Sequence, residues 1–102
     1  MSKSEEVGVT VGTAGPTVTM GGIKNLVRGE DYHVFPGTTL TVCCLVLDNG
    51  FTVTGESACA DPANFDEAIG QKYARENALN KVWVLEGYLL REKLYRGIGT
   101  SR

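Results

Sequence analysis

Eight residues in the C-terminal third of the chain hold most of its usable chemistry: Gly70, Tyr73, Asn77, Asn80, Lys81, Tyr88, Arg91 and Tyr95. On a helix turning about 100° per residue they fall within roughly a third of the circumference. Tyrosine rings stack on a flat ligand, carboxamides read its polar edge, and Lys or Arg neutralises a phosphate. A glycine among them lets a ligand or another backbone come close. The face therefore reads as a candidate site for an anionic, ring-containing, nucleotide-like molecule, with Tyr73, Asn77, Asn80, Lys81, Tyr88 and Arg91 as its contacts. The competing reading is a solvated helix face whose tyrosines pack by their ring edges.

Other combinations offer less. His33 is the only histidine and has no Cys/His cluster at ligand spacing, so no metal site is expected. Cys59 with His33 would need a local nucleophile motif, and none is present. Glu56, Asp61 and Glu67 lie close in sequence, but capping and solvation account for them more simply than acid–base work. Gly12, Gly15, Gly21 and Gly22 match no phosphate-binding loop, lacking both the spacing and a following Lys-Ser/Thr. A non-enzymatic protein without a cofactor is the expectation.

At 102 residues the chain is long enough for one domain, and a domain of that size gains from partners. Residues 1–64 hold three basic and seven acidic side chains, and residues 65–102 hold seven and five. So slight a basic bias cannot sustain many phosphate contacts, which argues against duplex nucleic acid as a partner. Three cysteines cannot all pair within one chain, and no apolar run resembles a signal peptide or a membrane span. A reducing cytosol and no membrane partner follow as expectations.

The elements that would position the polar face form an α+β domain over residues 21–96. Residues 1–20 are expected to be a flexible or edge-strand tail around the alternating Val7, Val9 and Val11, and residues 97–102 a second flexible tail. Ile23, Leu26 and Val27 sit at helical spacing, predicting a short helix over about 22–28 that ends near Gly29. Pro36-Gly37 marks a turn. An antiparallel hairpin is expected over about 39–48 and 51–56, closed by a two-residue Asn49-Gly50 loop. That register sets Val46 against Val53 and Cys44 against Gly55. It makes Val42, Cys44, Val46, Phe51 and Val53 the core face. The other face carries Thr41, Cys43, Leu45 and Leu47, too apolar to be fully wet.

Asp61-Pro62 reads as an N-cap followed by proline at the first helical position, opening a helical region over about 62–95. Its apolar residues fall into two stripes: Ala74, Ala78, Val82, Leu85 and Leu89, and nearly opposite them Phe65, Leu79, Trp83, Leu90 and Leu94. Two stripes require burial on two sides. Either a long helix is shared within a homo-oligomer, or a break near Val84–Gly87 folds two shorter helices together.

At Thr41-Val-Cys-Cys-Leu-Val-Leu47, Asn49-Gly-Phe-Thr-Val-Thr-Gly-Glu-Ser57, Phe65, Ala74-Arg-Glu-Asn-Ala78, Trp83 and Leu85-Glu-Gly-Tyr-Leu-Leu-Arg91, the chain resembles a small family of tailed-phage proteins. The family is named after a coliphage gene 49 and a Shigella phage gene 66, and the resemblance spans about residues 32–94. It implies a phage accessory gene expressed in the bacterial cytoplasm. Relatives often carry proline where this chain has Val84, which would favour a kink after Trp83. Two functions fit: a sponge that binds a nucleotide-like signal and so antagonises host defence, or a protein-interaction module that inhibits or redirects a host enzyme.

Overall fold

The computed structural model describes residues 17–97; both expected tails, apart from Thr17–Met20 and Gly97, lie outside them. Helix α1 (Met20–Asn25) leads into strand β1 (Val27–Val34), then β2 (Leu40–Leu47) and β3 (Thr52–Ala58). A short 3-10 turn (Pro62–Asn64) precedes helix α2 (Glu67–Arg96). The strands form one antiparallel sheet in the order β1-β2-β3, and α2 lies across one face of β2 and β3. The expected α+β architecture is the one observed.

Helix α1 starts earlier than the spacing of Ile23, Leu26 and Val27 predicts, because the Thr19 hydroxyl accepts the Gly22 N–H at 3.1 Å and caps it. It also stops earlier, at Asn25. The chain from Val27 onward is not its last turn but an unexpected edge strand, with a register irregularity between Val27 and Gly29. Charged residues Arg28, Glu30 and Asp31 obscure the strand pattern while blunting a free edge. Pro36 and Gly37 form the expected turn: Gly37 has φ 77°, and the Thr38 N–H donates to Phe35 O at 3.1 Å.

The β2–β3 hairpin departs from the expected register by one residue. Leu45 faces Val53 and Cys43 faces Gly55. A two-residue type I′ loop needs positive φ at both central residues. Here Asn49 lacks it, while Gly50 has φ 90°. The Gly50 N–H instead donates to Leu47 O, and the Leu47 N–H to Phe51 O, both at 2.8 Å. Asp48, Asn49 and Gly50 thus make a three-residue loop with glycine in the left-handed position. A one-residue slip inverts one strand relative to the other. Thr41, Cys43, Leu45 and Leu47 are consequently the buried face of β2, opposite Val53 and Gly55, while Val42, Cys44 and Val46 are only half-buried on the far side. Phe51, assigned to the core by the expected register, is exposed.

Asp61 caps only the 3-10 turn, accepting the Ala63 N–H at 3.0 Å. The cap of α2 is Asp66, which accepts from Ala68 at 2.9 Å and Ile69 at 3.3 Å. From there α2 runs 30 residues without a break, through buried Gly87, to Gly97 in the left-handed conformation with φ 71°. At roughly 1.5 Å per residue it spans about 45 Å. Eight-residue strands reach only about 27 Å. The helix therefore overhangs the sheet, consistent with overall extents of 56 × 31 × 18 Å.

Helix α2 is continuous, with no break at Val84–Gly87, and its two stripes are only partly buried within one chain. Gly70, Ala74, Ala78 and Val82 are buried at four-residue spacing, and Glu86, Leu90 and Leu94 continue that line half-buried. Each step of four advances about 40° round the helix, so the contact line winds from the sheet toward α1. Leu79 joins the core around Ile23, and Trp83 packs against it. Leu85 and Leu89, at the far end of the first stripe, stay substantially exposed.

Candidate functional site

The small residues of α2 allow its first half to sit on the sheet backbone to backbone. A Cβ at Gly55 would overlap Ala78 N and Ala74 O and lie 2.8 Å from Ala78 Cα. Gly70 permits the same approach a layer further along, where a Cβ would come 2.8 Å from Thr41 Oγ1. Thr41 Oγ1 is fully buried and without a hydrogen-bond partner, so β2 carries a desolvated hydroxyl beneath the helix.

The six expected ligand contacts all lie on α2 and all are exposed, as the helical spacing requires. They do not converge on a cavity. Tyr73 and Arg91 are 18 residues apart, about 27 Å along the axis. Asn77 Nδ2 donates to Glu56 O at 2.8 Å, and Lys81 Nζ lies 3.8 Å from Glu56 Oε1. Both side chains fasten α2 to the outer edge of β3. Tyr73, with the Lys72 ammonium 5.7 Å from its ring centre, is the one member of the six in the cleft where α2 begins. This cleft holds about 240 Å³ between Thr39, Ser57, Phe65, Ile69 and Gly70, with Asp66 on its wall.

A polar cluster that the sequence reading missed ties α2 to the other edge. Tyr32 OH donates to Glu30 Oε1 at 2.6 Å, and Arg75 Nε lies 3.2 Å from Glu30 Oε2. The phenol's hydrogen bond, aided by the guanidinium, holds the Glu30 carboxyl below its ordinary range. Burial first, and then the bond to Glu30, push the Tyr32 phenol up. Burial likewise raises the adjacent Cys43 thiol, which is fully enclosed and so a poor nucleophile. The i, i+2 spacing of Glu30 and Tyr32 would have revealed their shared face had β1 been recognised as a strand.

The other chemical candidates are spoken for. His33 packs its ring edge-on against Phe35 at 4.6 Å. The Cys59 thiol donates to Asp61 O at 3.1 Å. Among the described residues no group of three or more His, Cys, Asp or Glu could hold a metal ion, and no helix is long and apolar enough to cross a membrane.

The most unusual surface is apolar. Val84 is 69% exposed, Leu85 40%, Tyr88 66%, Leu89 47% and Tyr95 79%, all on the overhanging half of α2. Phe51, 56% exposed at the hairpin tip, adds to them across an open groove of about 430 Å³ that Val84, Leu85 and Lys81 also line.

Residues 18–94 match the family model described as phage protein (N4 Gp49/phage Sf6 gene 66) family. No curated protein and no solved structure matches the chain.

Proposed function

The chain belongs to the phage protein (N4 Gp49/phage Sf6 gene 66) family, and on that premise we propose a non-enzymatic accessory protein that works in the host cytoplasm by protein contact. The contact surface is the overhanging half of α2. One observation carries this reading: five large apolar side chains stand exposed together on the half of α2 that outruns the sheet, against two, Ile69 and Tyr73, on the half seated on it. Contiguous apolar patches mark interaction surfaces, and tyrosines at their centre are typical anchors. Such a surface serves to inhibit or redirect a host enzyme, or to assemble copies of the protein itself.

The sponge reading ranks second. Its support is Tyr73 in the cleft at the start of α2. An aromatic wall there would stack on a ring, but Asp66 on the same wall opposes a phosphate.

A photo-crosslinking residue placed at position 88 in cells making the protein tests the contact surface. Position 88 is expected to trap a protein, either a second copy or a host component, while position 76 on another side of the helix traps none. No adduct from position 88 would overturn the reading.

A further inference from the structure

We infer that the partner on the overhanging half of α2 is a second copy of this chain, lying antiparallel across it. The inference rests on the proposed contact surface and names its occupant. Lys81 and Glu92 are 11 residues apart, which is three turns plus about 20°, so they lie almost in line along the helix. Leu85 and Tyr88 sit between them, about 30° to either side of that line. A two-fold axis midway between residues 85 and 88 therefore leaves Lys81 and Glu92 each about 8 Å from it. In an antiparallel pair, Lys81 of each copy meets Glu92 of the other.

The apolar residues obey the same symmetry. Tyr88 of one helix packs beside Val84 of the other, and Leu85 beside Leu89, each contact occurring twice. The pairing encloses Val84, Leu85, Tyr88 and Leu89, which the monomer leaves exposed, and frames them with two ion pairs of opposite sense, Tyr95 lying beyond Glu92. The partner's Tyr88 comes to the mouth of the groove lined by Phe51, Val84 and Leu85. Within one chain Lys81 approaches Glu56 and Glu92 bonds Arg96, both on the surface. Those pairs are weak enough to exchange for contacts across an interface. The parallel arrangement would set Lys81 against Lys81 and Glu92 against Glu92, and repulsion excludes it.

Light scattering and analytical ultracentrifugation of the purified chain at 1–100 µM test this, with circular dichroism to verify that each variant is folded. The native chain is expected to sediment at twice its monomer mass. Lys81→Glu or Glu92→Lys alone places like charges together and is expected to weaken the dimer by about tenfold or more. The Lys81→Glu/Glu92→Lys exchange restores it, which the contacts within one chain cannot explain, since the exchange leaves a carboxylate at position 81 facing Glu56. Leu85→Asp gives a folded monomer. A native monomer at 100 µM that still traps a host protein from position 88 would overturn the second copy and leave the contact surface standing. A monomer that traps nothing would overturn both. A dimer indifferent to Leu85→Asp, or unrescued by the charge exchange, would place the interface elsewhere and overturn the pairing.

Discussion

Between Gly70 and Val82, the residues at four-residue spacing that α2 lays on the sheet are glycine, alanine, alanine and valine, and all four are buried. Between Val84 and Tyr95 the same helix carries valine, leucine and tyrosine side chains that remain exposed. The first half gains its stability from close approach, with backbone against backbone at Gly55, where there is no room for a methyl group. The second half gains little from the sheet, which it has outrun, and touches α1 only along one side. Small residues therefore line the face of α2 that meets the sheet, with Ile69 and Tyr73 exposed beside it, and the larger group of exposed apolar side chains gathers where the helix is open. Such a division separates a scaffold from a contact surface within one secondary element.

Gly55→Ala attacks the scaffold half directly. The added methyl group meets helix backbone, which cannot rotate away as a side chain would, and the layers must separate. Overpacking of this kind costs about 3 kcal/mol or more, or a fall in Tm beyond about 12 °C at about 4–8 °C per kcal/mol for a small domain. Thermal denaturation followed by circular dichroism measures it. A shift of less than a few degrees would mean that α2 is less closely seated than the structure shows.

A smaller effect is expected from the cluster that pins the same half to β1. Because the Glu30 pKa is lowered in the folded chain, its contribution is present above the ordinary carboxylate value of 4.5 and is lost as pH falls through the folded value. The Tyr32 phenol is shifted the other way, so its contribution is present below its ordinary value of 10.0 and is lost as pH rises beyond it. Both groups are partly exposed and solvent screens the pair, so the Glu30 contribution stays under about 1 kcal/mol. Melting curves from pH 3 to 7 are expected to show a shallower acid-side loss in Glu30→Gln than in the native chain. Equal slopes would remove this pin from the account.

The smallest change belongs to the open half. Tyr88→Ala removes an exposed ring and is expected to alter monomer stability by no more than about 0.5 kcal/mol. Chemical denaturation at low protein concentration, where association does not contribute, checks this. A large loss would show that the overhanging half is packed like the first, and the contrast between them would fail.

How legible each region was follows the reach of the interactions that shape it. The Asn49-Gly50 signal located the hairpin correctly but not its loop length, because the same two residues serve a two-residue or a three-residue loop. That choice decides whether Val42 or Leu45 faces the helix. The leucines judged too apolar to be wet were the better guide to the core than the alternation drawn from the turn. β1 was missed because an edge strand with Arg28, Glu30 and Asp31 has little alternation to read. At the site, helical spacing grouped Tyr73, Asn77, Asn80, Lys81, Tyr88 and Arg91 on one face of α2. It could not show that Asn77 and Lys81 turn to Glu56 on β3, a neighbour far away in the chain.

Local rules in the sequence determined the C-terminal helical region, the polar face, the Pro36-Gly37 turn and the membership that the motifs from Thr41 to Arg91 implied. Periodicity and turn chemistry act over a few residues and can be read directly. Tertiary structure alone decided which face of β2 is buried and that α2 stays continuous past Val84. It also decided where the sheet ends beneath the helix. Those outcomes depend on how the layers meet. Gly55 and Gly70 allow α2 to approach closely, the four-residue ridge winds as it runs, and a helix of about 45 Å outlasts the shorter sheet, leaving Tyr88 and its neighbours exposed.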